Sequence, residues 1–234
     1  MPLQLITTQR LYEHAADHLA RLIRAGEYEA GTKLPAERDL ARQLGVSRTT
    51  VREALLALEI RGLVEVRTGS GAFVTPNGGP LPAGTPAQKD TGAGPFELLA
   101  ARKLFEPPVA ALAAIAITEA ELAALRETLP LIETRKRDHW EKLEVDRTFH
   151  VLIAKATHNA VIVEVVESLW REMFGPIFAL LSERTQLTHK QSMTFSDHSA
   201  ILGCLERRDA AAAHAAMLGH LVNVELTLMG SDDK

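Results

Sequence analysis

Cysteine is almost missing from this 234-residue chain: Cys204 stands alone, so no internal disulfide can staple the fold. Its place in an apolar helical pattern suits a small buried hydrophobe better than a nucleophile. No secretory apolar stretch lies near Met1, and no apolar run approaches the roughly 18 residues that a membrane span requires. These two absences predict a cytoplasmic protein with no membrane partner. An excess of positive charge is lacking too: the formal net charge is -4, which at first weighs against nucleic acid. Its distribution weakens that objection, because residues 1–75 hold 10 Lys and Arg against 9 Asp and Glu, a net of +1, while the remainder carries -5. DNA docking depends on the charge of the docking face rather than of the whole chain. There is no internal repeat, and past residue 96 there is no strand-like alternation.

What is present is organised around residues 47–60. Ser47 is a good helix N-cap, and Val51, Ala54, Leu55 and Leu58 recur at i, i+3, i+4 and i+7, one apolar stripe that should face a core. Arg48, Thr49 and Arg52 fall within one turn on the other side. Gly45 supplies a tight corner before them, and residues 36–43, opened by Pro35, form a short helix leading into it. An earlier helix spans 9–25, with Leu11, Ala15, Leu19, Leu22 and Ile23 on one face and Gly26 at its end. After Gly62, residues 63–67 and 72–74 alternate as strands around Thr68-Gly69-Ser70-Gly71, a β-hairpin. Two helices joined at a corner, with Arg and Thr projecting from the first turns of the second, are what a helix-turn-helix needs to enter a DNA major groove. Taken alone, Arg48, Thr49 and Arg52 would equally suit a solvated helix face. The small residues of the hairpin tip can approach a sugar-phosphate backbone, although glycines there also serve hairpin geometry.

The run Lys33-Leu-Pro-Ala-Glu-Arg-Asp-Leu-Ala-Arg-Gln-Leu-Gly-Val-Ser-Arg-Thr-Thr-Val-Arg-Glu-Ala-Leu, followed by Leu63-Val-Glu-Val-Arg-Thr-Gly-Ser-Gly-Ala-Phe-Val74, resembles the winged helix-turn-helix of GntR-type bacterial transcription regulators. The resemblance implies that Arg38, Arg48, Thr50, Arg52 and Gly69 contact operator DNA, Arg38 clamping phosphate while Arg48 and Arg52 reach guanine edges. With their neighbours added, the candidate DNA-contacting set is Arg38, Ser47, Arg48, Thr49, Thr50, Arg52, Thr68 and Gly69.

Residues 76–95 are crowded with proline and glycine and nearly free of apolar side chains, which predicts a linker. Beyond it the pattern is helical throughout, with helices expected at 96–116, 119–134, 138–157, 160–174, 176–184, 192–207 and 210–229. Thr118-Glu-Ala-Glu121 reads as a capping box, Gly175-Pro176 as a break and Asp209 as a cap. The expected architecture is therefore mainly α: a winged helix-turn-helix with a small β-hairpin wing over 1–75, a linker over 76–95, and an all-α helical bundle over 96–230. In the helix 138–157, Trp140, Leu143, Phe149, Leu152, Ile153 and Ala156 define the buried face. Asp146 and His150 fall on or beside that face at i, i+4, a spacing suited to chelating one metal ion. His198 extends the apolar line of Ile201, Leu202 and Leu205, and His220 sits on the stripe of Ala213, Met217, Leu221, Val224 and Leu228. Buried polar groups need partners, and a divalent metal would satisfy all four at once; core histidines bonded to backbone are the plain alternative. The donor set suits zinc first, with nickel, manganese or iron also compatible.

Phe96-Glu-Leu-Leu-Ala-Ala-Arg-Lys-Leu-Phe-Glu-Pro107, Asp146-Arg-Thr-Phe-His150, Asn159, His198-Ser-Ala-Ile-Leu and the later Gly-His-Leu221 are similar to the FCD effector-binding domain of the FadR subfamily. The resemblance implies a metal held by Asp146, His150, His198 and His220, and a small carboxylate effector beside it. Arg102 is the candidate partner of the effector carboxylate, an exposed helical arginine being the alternative. The whole then reads as a homodimeric repressor that grips a palindromic double-stranded operator and releases it when the effector binds. Two other classes compete. One is a metal-dependent hydrolase, against which Glu144 lies on a different helix face from Asp146 and no other carboxylate is placed as general base. The other is a DNA-binding protein whose helical half is only a dimerisation scaffold.

Overall fold

The structure is a computed structural model that describes residues 10–67, 69–76, 91–133, 139–185 and 191–230. Its elements in chain order are α1 (Leu11–Arg24), α2 (Glu37–Leu44), α3 (Arg48–Ile60), β1 (Val64–Arg67), β2 (Gly71–Val74), α4 (Pro95–Ala116), α5 (Glu119–Glu133), α6 (His139–Lys155), α7 (Ala160–Glu172), α8 (Pro176–Arg184), α9 (Gln191–Glu206) and α10 (Ala210–Met229). They fall into two units, Met1–Phe96 with Gly175–Phe178, and Glu97–Phe174 with Ala179–Lys234. Among the described residues no helix is long and apolar enough to cross a membrane.

In the first unit α1 and α2 both pack on α3. Tyr12, Ala16, Leu19 and Ile23 of α1 are buried, as are Leu40 of α2 and Val51, Ala54, Leu55 and Leu58 of α3, the periodic positions of each helix. Burial of each large side chain here is worth about 1.5–3 kcal/mol. Gly45 closes α2 in the left-handed region (φ 68°), a conformation that strains any residue with a β-carbon, and so lets the chain turn sharply into α3. Ser47 caps α3, its hydroxyl accepting the Thr50 N–H at 3.0 Å. Pro35 does not open α2 as expected: Ala36 is the N-cap, and the proline sits one residue outside. Ala36 offers no side-chain cap, and Glu37 and Asp39 in the first turn stabilise the positive end of the helix dipole instead. The hairpin β1/β2 is antiparallel with Val64 opposite Val74 and Arg67 opposite Gly71, and it buries Val64, Ala72 and Val74. Thr68 of the expected wing tip, and residues 77–90 of the expected linker, lie outside the described residues. Residues 91–96 are bound to the first unit rather than linker-like. Thr91 is buried, its hydroxyl 2.9 Å from that of Tyr12, and the Phe96 N–H donates to the buried Glu53 carboxylate at 2.8 Å.

In the second unit α5 packs on α6 and α9, α6 on α7, and α9 on α10. Phe149, Trp170, Ile201, Leu205 and Leu221 are fully buried. The helix ends follow local chemistry: Thr118 and Glu121 exchange backbone N–H bonds, Asn159 accepts from Val161, and Asp209 accepts the Ala212 N–H. Trp140 corrects the expected buried face of α6. It lies in the helix's first turn, stacks on Phe174 with ring centroids 5.9 Å apart, and stays 45% exposed, because a helix end has packing neighbours on one side only.

Candidate functional site

In the first unit the N-terminal turn of α3 presents Ser47 and Arg48 to solvent, with Thr49 and Thr50 half-buried beside them. The Ser47 hydroxyl lies 2.7 Å from those of both Thr49 and Thr50, so these three small polar side chains form one connected edge. Arg38 extends from α2 with its side chain 82% exposed, and Gly69 is exposed on the hairpin in the left-handed region. Arg52 is already partnered: its guanidinium is engaged bidentately by Glu37, Nε donating at 3.2 Å and Nη2 at 2.9 Å, which ties α3 to α2. The two positions are 15 residues apart, a pairing that only the folded corner creates.

In the second unit four side chains from three helices converge. Asp146 and His150 come from α6, His198 from α9 and His220 from α10, and one donor atom from each lies within 4.8 Å of all the others. The imidazole centroids are 4.7–5.3 Å apart. The three histidines are 0–2% exposed, while the Asp146 side chain retains 22%. Asp146 Oδ1 lies 3.1 Å from His198 Nε2 and 3.6 Å from His150 Nε2. Asp146 Oδ1 and the Nε2 atoms of all three histidines are buried without a satisfactory hydrogen bond among the described residues. Buried polar atoms are ordinarily paired, so a cluster of such atoms aimed at one another fits a cation at their centre.

The far sides of two rings are held. His150 Nδ1–H donates to Glu106 on α4, and His220 Nδ1–H to Asp197 at 3.3 Å, Asp197 itself accepting from Asn223 Nδ2 at 3.1 Å. A carboxylate on Nδ1 leaves the Nε2 lone pair facing inward, as metal-ligating histidines require. Phe149 stacks on His198 with centroids 4.2 Å apart and fixes the third ring by packing. The electrostatics suit the same purpose. Burial pushes the His198 imidazole down to about 4 and His220 below the usual histidine range, keeping both neutral at pH 7. Burial would raise Asp146, but the His150 and His198 rings close to Oδ1 outweigh it and hold the carboxyl well below its usual range. His150 is opposed by burial yet raised by Glu106 and Asp146.

Arg102 is neither an exposed helical arginine nor a group facing open space. It is 1% exposed, with Nε and Nη2 donating to Glu106 at 2.6 and 3.1 Å, Nη1 directed at Met173 Sδ at 3.0 Å, and its guanidinium 4.1 Å from the Trp170 ring centre. Glu106 and Asp197 are the residues that sequence reasoning missed. The i, i+4 spacing of Arg102 and Glu106 was a visible signal for their ion pair, but nothing local announces that Glu106 turns toward a histidine 44 residues away.

Residues 11–74 match the family model of bacterial regulatory proteins, gntR family, and residues 97–223 match that of the FCD domain. The chain is 38% identical over 227 residues to the Uxu operon transcriptional regulator of Escherichia coli K12, covering 95% of this chain and 88% of that protein. It is 37% identical over 242 residues to the Exu regulon transcriptional regulator of the same organism, covering 99% and 90%. The solved structure of E. coli McbR/YncC, 24% identical with a TM-score of 0.50 over 95% of this chain and 98% of that one, shares the fold.

Proposed function

We infer the function from one premise: the chain belongs to the GntR family of bacterial regulatory proteins and joins that family's DNA-binding region to an FCD domain. It is a DNA-binding transcription regulator, and its relatives are regulators rather than enzymes, which removes the hydrolase reading. Beyond that, we propose a cytoplasmic homodimer that represses by gripping a palindromic operator and lets go when a small carboxylate binds at a divalent metal in the helical unit. Arg48 reads a base edge, Arg38 clamps phosphate, and Ser47, Thr49, Thr50 and the wing residues Thr68 and Gly69 contact the backbone, while Arg52 holds α2 to α3. Asp146, His150, His198 and His220 ligate the metal, zinc first and nickel or manganese next.

The observation that carries the effector half is the set of four inward donor atoms left without satisfactory hydrogen bonds among the described residues. A bound divalent ion supplies a Lewis-acidic centre to which a carboxylate can add. Asp146 is the most exposed of the four ligands, so the effector approaches from its side. Support for the homodimer comes from α4, where Leu104, Phe105, Leu112 and Ile115 are 75%, 48%, 49% and 68% exposed. These four fall within about 100° of one another around the helix, an apolar strip that a second copy would cover.

Elemental analysis of untagged protein beside His150→Ala and His198→Ala tests the reading. About one metal per chain, lost in both variants, is the expected result. No metal in the wild type after incubation with zinc or nickel would leave the helical unit as a dimerisation scaffold.

A further inference from the structure

Arg102 and Glu106 form a buried ion pair that serves no core-packing purpose by itself. Each is 1–2% exposed, and a buried pair of this kind gains little stability over apolar residues of similar size. Their geometry points elsewhere. Glu106 Oε1 accepts Arg102 Nε at 2.6 Å, while Oε2 is shared between Arg102 Nη2 at 3.1 Å and the Nδ1–H of His150. Arg102 is in turn fixed by the Trp170 face and Met173, and Trp170 also lies against His150 with centroids 5.0 Å apart. Every polar group of the guanidinium that these contacts engage therefore points at protein rather than at a space for a ligand.

We propose that Glu106, locked in place by Arg102, is the positioning residue of the metal centre. Its carboxylate fixes the orientation and tautomer of His150 so that Nε2 faces Asp146, His198 and His220, and Arg102 acts through Glu106 rather than on the effector. The inference rests on the metal reading above. It also assigns the two remaining rings unequal restraint. His220 is held by Asp197, which is partly exposed and bonds at a longer 3.3 Å, and His198 is held by the Phe149 stack. His150 is thus the anchored ligand of the three.

The test is titration of the metal-free full chain with Zn2+ and with Co2+ at fixed pH, comparing wild type, Glu106→Gln, Arg102→Lys and Lys103→Met. Lys103 bonds Glu225 and touches none of the centre, so it serves as the control on the same helix. Glu106→Gln is expected to bind Zn2+ about 10- to 100-fold more weakly and to shift the visible absorption of the Co2+ form, a signature that a purely structural loss would not produce. Arg102→Lys, which keeps the charge but loses the fork, falls in between, and Lys103→Met binds as the wild type does. Circular dichroism establishes that each variant is folded. Should Glu106→Gln fail to fold, the charge-balanced pair Arg102→Met with Glu106→Gln replaces it, with the same expected weakening. Wild-type binding with unchanged affinity and unchanged Co2+ spectrum in the Glu106 variant overturns this inference and leaves the metal reading standing; no binding by the wild type overturns both.

Discussion

Acidification should loosen the helical unit through His198, and the size of the effect follows from its surroundings. The ring is fully buried, stacked on Phe149 and close to two other imidazoles, and it takes up a proton only near pH 4 instead of near its usual 6.5. Below pH 6.5 the unfolded chain binds a proton there that the folded chain refuses, so stability is fully present above 6.5 and declines as pH falls toward 4. A shift of that size corresponds to roughly 3.5 kcal/mol in full, at about 1.4 kcal/mol per pH unit, of which roughly 3 kcal/mol is lost by pH 4. His220 pulls the same way, and His150 opposes it: its raised value adds stability that is present below 6.5 and lost as pH rises through the folded value. A difference measurement removes whatever part of the His220 and His150 contributions does not depend on His198, and reads His198 together with its coupling to its neighbours. Trp140 and Trp170, the chain's two tryptophans, lie in the helical unit, so urea unfolding followed by their fluorescence reports on that unit. In the presence of chelator, the wild type should lose about 3 kcal/mol more than His198→Gln between about pH 7.5 and about pH 4. Equal losses in the two proteins would refute the reasoning.

On DNA, Arg48→Ala should cost about 1–3 kcal/mol of operator affinity and relax preference at one base pair, whereas Arg38→Ala should weaken all sequences alike and lower the salt slope by about one; fluorescence anisotropy across a salt series separates the two. Arg52→Ala and Glu37→Gln should each destabilise the winged unit by about 1 kcal/mol, since the ion pair between them is partly buried; losses that differ by more than a factor of three would show that Arg52 has a second partner of equal weight. Leu104→Asp or Ile115→Asp should shift the protein toward monomer in sedimentation without lowering helix content, and an unchanged sedimentation coefficient would move the dimer interface off α4.

What the sequence alone determined is whatever depends on neighbours in the chain. The apolar stripes of α3 and α10, the Ser47, Thr118 and Asp209 caps, the glycine corner at Gly45 and the hairpin all follow from residues within a turn or two of one another, and all stand in the structure; on α1 the buried face is shifted from the expected one, with Leu11 59% exposed and Leu22 half-buried while Tyr12 and Ala16 face the core. The inward placement of His150, His198 and His220 was legible for the same reason: each extends a periodic apolar face, and three such faces in a helical bundle meet at its core. Tertiary structure decided the partners. Whether Arg52 reaches outward or back to Glu37 depends on the angle of the helical corner, and whether Arg102 meets solvent, a ligand or Glu106 depends on what packs over α4. Proline and glycine likewise marked residues 91–95 as linker, yet Tyr12 brings Thr91 into the winged unit through a bond spanning 79 residues. Long polar side chains choose partners by distance in space, and that distance is set by the packing of apolar faces whose periodicity says which side is buried but not which neighbour covers it.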